Sequence, residues 1–238
     1  MKTDDDDLRP ALSIIIPALD EAHSIGATLD AVARVSGSVE VIVVDGGSRD
    51  ETVLIARGRG VRVIESARGR GTQMHAGSCV ARSASLWFLH ADTIPPVDAA
   101  VRIVEALKEP AVAGGNFDVR FDGGKRAARF LTWLYPKLRR LGLHYGDSAI
   151  FVRREDYERV GGFQSFPIFE DLDLIRKLRR RGRIVHLPAT VITSSRRFEG
   201  RRSFALTFAR WTVLQCLYWL GVHPRTLGRL YAPIRGAQ

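Results

Sequence analysis

Apolar positions along this chain follow two rhythms. Continuous runs rich in Ile and Val, LSIIIP at 12–17 and EVIVV at 40–44, suit strands covered on both faces, as crossover helices cover a parallel sheet. Between such runs, Ile25, Leu29, Val32 and Val35 recur at helical spacing within 21–35, and Val97, Val101, Val104 and Leu107 do so within 97–107. Extended along the chain, the pattern predicts strands at 12–17, 39–44, 61–65, 85–90, 112–121, 148–152 and 184–193. Strands alternating with helices imply an α/β fold: a mostly parallel central sheet, Rossmann-like, flanked by helices. The Gly pairs of GGNFDVRFDGGKR (114–126) interrupt the rhythm and predict an antiparallel strand ending in a turn.

Length and charge refine this picture. A chain of 238 residues with 45% hydrophobic content can bury one sizeable core, so a single α/β domain over 11–198 is expected, with a nucleotide-binding half at 11–95 and an acceptor half at 96–198. Residues 1–10, MKTDDDDLRP, read as a disordered acidic tail in place of a basic and then apolar leader. Cys79 and Cys216 have no C-x-x-C spacing and suit a reducing, cytoplasmic setting. The net charge of +10 invites an anionic partner, but no nucleic-acid-binding pattern accompanies the Arg residues, which excludes nucleic acid in favour of a solvated surface or, next, an anionic membrane face. The segment 199–238 is a helical appendage. Its run SFALTFARWTVLQCLYWLGV (203–222) has the length of a membrane span but carries Arg210 at its middle, so a dimer helix or an interfacial helix at the inner membrane face is the better reading.

Four acidic blocks fall where predicted strands end or helices begin, and the carboxyl edge of an open sheet is where such folds hold nucleotides and cations. Pro17 ends the first strand and Glu21 opens the next helix; Asp45 ends the second strand and is followed by Gly46 and Gly47, which let backbone approach a ligand. Ser48 and Glu51 also have capping-box spacing, so a turn and a helix cap explain the same block. ARGRGTQMHAG (67–77) is a glycine-rich basic loop entering a helix, where Arg68 or Arg70 could face a pyrophosphate. LWFL delivers His90, Ala91 and Asp92 to a strand end, where a carboxylate reaches Mg2+ or Mn2+. FEDLDL (169–174) opens a helix with acids in its first turn and bases in its last, an arrangement that stabilises the helix whether or not a carboxylate there also takes a proton.

The blocks PALDE, VVDGGSRDET, GRGTQM, FLHADT and EDLDL, in this order, resemble family 2 glycosyltransferases, and more closely the short selenodomain- or arsenosugar-associated transferases. The resemblance implies a GT-A-like fold and a metal-dependent inverting transfer from a nucleotide-sugar donor to a hydroxyl acceptor, small or lipid-linked. It assigns the nucleobase to Asp45 and the nucleoside surroundings to Pro17, Glu21 and Gly46. Nucleotide contacts fall to Arg68, Gly71, Gln73, His90 and Ala91, the divalent cation to Asp92, base catalysis to Asp171, and acceptor or sugar binding to Glu170 and Asp147. His90 stands where the wider family has Asp, which shifts metal preference towards Mn2+. Two other classes share parts of the pattern: a nucleotidyltransferase, whose glycine-rich loop would follow the first strand directly, and a non-catalytic nucleotide-binding module at a membrane. An oxidoreductase would need a complete glycine fingerprint, which is missing.

Overall fold

The computed structural model describes residues 9–123, 126–140, 149–194 and 204–231. Asp147, the Arg-rich 196–202 and all but the end of the acidic tail lie outside these residues.

The Ile/Val runs become strands β1 (Leu12–Ala18) and β2 (Val39–Asp45), joined by α1 (Ile25–Val32). After α2 (Thr52–Gly58) come β3 (Arg62–Glu65), α3 (Arg70–Val80) and β4 (Ser85–Phe88). All four strands are parallel, in the order β3-β2-β1-β4. Strand order reverses direction between β1 and β4, and such a switch point opens a crevice at the carboxyl edge. After β4 come β5 (Thr93–Ile94), α4 (Ala99–Lys108), β6 (Val112–Phe121), α5 (Arg126–Arg140), β7 (Phe151–Arg153), α6 (Arg154–Arg159), α7 (Glu170–Leu178) and β8 (Arg183–Thr193). The glycine-punctuated β6 is antiparallel to β7, as expected, and also parallel to β8. β7 links β6 to the four parallel strands by pairing antiparallel with β4.

One face of the sheet packs on α1, α2, α4 and α5 through Ile25, Leu29, Ala56, Ile103 and Leu131, around the fully buried Trp87. Its indole Nε1 donates 3.1 Å to the carbonyl of Ala149, so the largest core side chain is satisfied. The other face packs on α3, α6 and α7 through Met74, Tyr157, Leu174 and Leu178. The periodicity of α1 holds, with Ile25, Leu29, Val32 and Val35 all buried. That of 97–107 needs correction, because Val97 and Val101 are more than half exposed and α4 instead buries Ala99, Ala100, Ile103 and Leu107. Small alanines let this helix approach the sheet closely, and the wider valines face outward.

Beyond the sheet, α8 (Phe204–Trp219) and α9 (Pro224–Tyr231) form a third, smaller core with α7, made by Ile168, Phe169, Leu172, Leu214 and Leu227. No helix among the described residues is long and apolar enough to cross a membrane.

Gly77 fixes the seating of α3 on the sheet. A Cβ there would collide with Ile15 and stand 2.9 Å from Val44 Cγ2. Gly77→Ala should therefore cost about 1–3 kcal/mol by overpacking, more than its gain in helix propensity, read as a lowered urea midpoint at unchanged slope.

Candidate active site

Two loops at the carboxyl edge are stitched together by polar side chains. After β1, Asp20 adopts a left-handed backbone (φ 55°) and its carboxylate accepts the Arg49 N–H at 2.8 Å. The Glu21 N–H donates 2.7 Å to Thr52 Oγ1, and the Ala22 N–H donates 3.0 Å to Asp50. Burial pushes the Asp50 carboxyl up, but the hydrogen bonds from Thr52 and Ala22 outweigh it and hold the group below its ordinary value. The predicted capping box does not form. Ser48 instead donates its hydroxyl to Asp45 Oδ1 at 2.5 Å, and Glu51, the cap of α2, makes no side-chain cap bond. Asp45 also accepts the Gly47 N–H at 2.9 Å, so its carboxylate is buried in a polar nest at the end of β2.

Gln73 braces this edge from below. Its side-chain amide donates 2.8 Å to both the Ala18 and Val44 carbonyls, the ends of β1 and β2. A Cβ on Gly46 would stand 3.0 Å from the same amide, so glycine lets the loop lie on it. Of the two arginines in the basic loop, Arg68 is exposed, whereas Arg70 pairs with Glu170 and places Nη2 3.9 Å from Asp171 Oδ2. Gly71 follows where any Cβ would strike the Gln164 carbonyl.

The acids of α7 are presented by an unusual cap. Phe169 takes φ 62° and its ring is fully buried, packing 5.0 Å from Tyr218 and 5.9 Å from Trp211 between centroids. This αL residue turns the chain so that Glu170 and Asp171 face Arg70, although both are only 2% and 4% exposed. Asp171 Oδ1 accepts the Leu172 N–H at 2.8 Å, as befits a helix N-terminus. Asp173 pairs with Arg176 at 2.9 Å and Lys177 at 2.7 Å, the helix-stabilising arrangement its position suggests. Burial pushes the Tyr218 hydroxyl up; Arg176 opposes this, and the negative charges of Asp173 and Asp171 add to it.

His90, Ala91 and Asp92 follow the buried end of β4. The Ala91 carbonyl accepts the Thr28 hydroxyl at 2.8 Å, which pins the segment to α1. Asp92 Oδ1 lies 3.5 Å from Thr193 Oγ1, itself 3.1 Å from Thr93 Oγ1. Asp92 and His90 are both partly exposed, and no group of three His, Cys, Asp or Glu able to hold a metal occurs among the described residues. Pro17, Glu21, Asp45 and Asp92 thus line the ends of β1, β2 and β4, and Arg70, heading α3, ties Glu170 and Asp171 to that edge. Three residues escaped the sequence reading as contributors: Arg70 as an acid partner, Thr193 and the strained Phe169. Arg70 and Phe169 lay in marked motifs, whereas Thr193 did not.

An open, mostly parallel sheet of this strand order, with its polar groups gathered at the carboxyl edge, defines a fold of the GT-A glycosyltransferase type. Residues 13–158 match Glycosyl transferase family 2, and the chain belongs to that family. It is 37% identical over 109 residues to a PGL/p-HBAD biosynthesis glycosyltransferase of Mycobacterium tuberculosis, covering 42% of this chain and 43% of that protein. It is 29% identical over 176 residues to glycosyltransferase AglE of Haloferax volcanii, covering 67% and 58%. The chain thus spans less than half the length of the first of these curated relatives. Among solved structures, the mannosyltransferase PcManGT of Pyrobaculum calidifontis superposes with TM-score 0.67 at 22% identity over 88% of this chain and 62% of that one. Glucosyl-3-phosphoglycerate synthase of Mycobacterium tuberculosis gives 0.63 at 22% identity over 90% and 80%.

Removing Arg70 leaves a buried carboxylate unpaired. Arg70→Met should lower stability by about 3–5 kcal/mol, and Glu170→Gln should recover part of that loss in the double variant, a coupling that urea titration of all four proteins measures.

Proposed function

We propose that this protein is a metal-dependent, inverting glycosyltransferase that moves a sugar from a nucleoside-diphosphate sugar to a hydroxyl acceptor. The observation that carries the reading is the meeting of nucleotide-side and acceptor-side groups at one sheet edge: Asp45 and Asp92 at the ends of parallel strands, and Asp171 held there by Arg70. The family membership supports it, as do the solved neighbours, the mannosyltransferase with GDP-Man and Mn2+ and the synthase with UDP-glucose and Mn2+.

In this reading Asp45 accepts hydrogen bonds from the base, with Pro17, Glu21 and Gly46 forming the nucleoside wall. Arg68 lies beside the diphosphate, and Gly71 and Gln73 shape the loop. The carboxylate of Asp92, a hard oxygen donor, would hold Mn2+ or Mg2+, and the nearby imidazole of His90 would suit Mn2+ better than Mg2+. What such a cation supplies when bound is neutralisation of the charge developing on the departing diphosphate. Asp171 takes the proton of the acceptor hydroxyl, which attacks the anomeric carbon from the side opposite the diphosphate. One base and no dedicated nucleophile give inversion. Glu170 keeps Arg70 beside Asp171, and Asp147 joins the acceptor side. The motif blocks further support a place among the selenodomain- or arsenosugar-associated transferases and a small acceptor. The nucleotidyltransferase alternative is not favoured, since PALDEAHS after β1 is not a glycine-rich phosphate loop.

Asp171→Asn should reduce turnover by about 10²–10⁴ while leaving nucleotide-sugar affinity nearly unchanged in calorimetry; unchanged turnover removes Asp171 from catalysis. Asp92→Ala should abolish the Mn2+-dependent part of nucleotide binding, seen by titrations with and without Mn2+.

A further inference from the structure

Among the described residues, helix α8 packs one apolar face on the domain and exposes another. Its inner face places Trp211, Leu214 and Tyr218 against Phe169 and its neighbours. On the outer face Ala209, Thr212, Val213, Cys216 and Trp219 are all exposed, at a spacing that lines one side of a helix, and so is Leu220 just past its end. The exposure is large, 58% for Val213, 59% for Trp219 and 81% for Leu220, and the stripe contains no charged residue. A contiguous patch of this kind marks an interaction surface.

The neighbouring helix is basic. Helix α9 is tied to α8 where the Arg210 guanidinium reaches the Leu230 carbonyl, and α9 exposes Arg225, Arg229 and Leu230. A second copy docked here would bring together two chains that each carry a net charge of +10. The helix cannot span a bilayer: 16 residues at a rise of 1.5 Å reach about 24 Å, and its inner face is already packed on protein. An apolar stripe that carries Trp219, beside a helix that exposes two Arg, fits the plane of a membrane interface.

We propose that the outer face of α8, with the exposed basic side of α9, docks this protein onto an anionic bilayer surface. The docking does not depend on the transferase reading, since it needs neither nucleotide nor acceptor.

Flotation of the full chain with vesicles tests it. The protein should bind phosphatidylcholine vesicles containing phosphatidylglycerol, and bind phosphatidylcholine alone at least ~10-fold more weakly. Val213→Asp with Leu220→Asp should weaken anionic-vesicle binding by at least ~10-fold. Arg225→Glu with Arg229→Glu should weaken it about fivefold or more per charge and remove much of its salt dependence. In a Cys79→Ala background, anionic vesicles should protect Cys216 from a water-soluble maleimide, which reads the same contact with the stripe intact. Absence of vesicle binding, equal binding by the Asp double variant, or an unprotected Cys216 overturns the proposal. So does light scattering that shows a dimer which the Asp substitutions dissolve, since the stripe then belongs to a second copy.

Discussion

The ion pair between Arg70 and Glu170 ties the start of α3 to the start of α7 at the carboxyl edge of the sheet. Arg70 begins α3, the helix that seats on β1 and β2, and Glu170 begins α7, which belongs to the second half of the chain. Both groups lie largely out of water, where an unpaired charge is expensive, so the pair dictates how closely the helices approach. Gly71 exists to permit that approach, because the Gln164 carbonyl occupies the space a side chain would need. Phe169 accepts a left-handed backbone for the same reason, turning the first residues of α7 towards α3. The strain at Phe169 is offset by burying its ring against Trp211 and Tyr218, so the terminal helices support the acid pair.

The rest of the edge follows from hydrogen bonds rather than from apolar packing. Asp45 is buried, yet its neighbours are the Gly47 and Ser48 amides and the Ser48 hydroxyl, groups that a ligand can exchange with. Gln73 spends its amide on two strand-end carbonyls, which fixes the floor beneath Gly46. Asp92 remains partly exposed at the switch point between β1 and β4. The result is a hydrogen-bonded edge at the ends of β1 and β2 and a more open one beside β4.

Most of the fold was legible because the signals were strong and local. Continuous Ile/Val runs gave β1 and β2, and the Gly pairs marked β6 as different. The helix at 97–107 misled on its face, because alanine carries little periodic signal while the exposed valines carry much. The Ser48–Glu51 spacing misled because Asp45, three residues earlier, competes for the serine hydroxyl. The acidic motifs were visible as motifs, but the partnership of Arg70 with Glu170 spans 100 positions and leaves no spacing to read. Likewise Thr193 meets Asp92 only through sheet pairing between β5 and β8.

The central claim, that groups remote in sequence share one cleft, is tested most directly by anomalous scattering from crystals grown with Mn2+ and a nucleoside diphosphate. The account predicts a manganese peak about 2 Å from an Asp92 carboxylate oxygen, with the base against Asp45 and the diphosphate between Asp92 and the start of α3. A manganese peak on Asp173 or elsewhere away from Asp92, or a nucleotide bound at any other edge of the sheet, would contradict it.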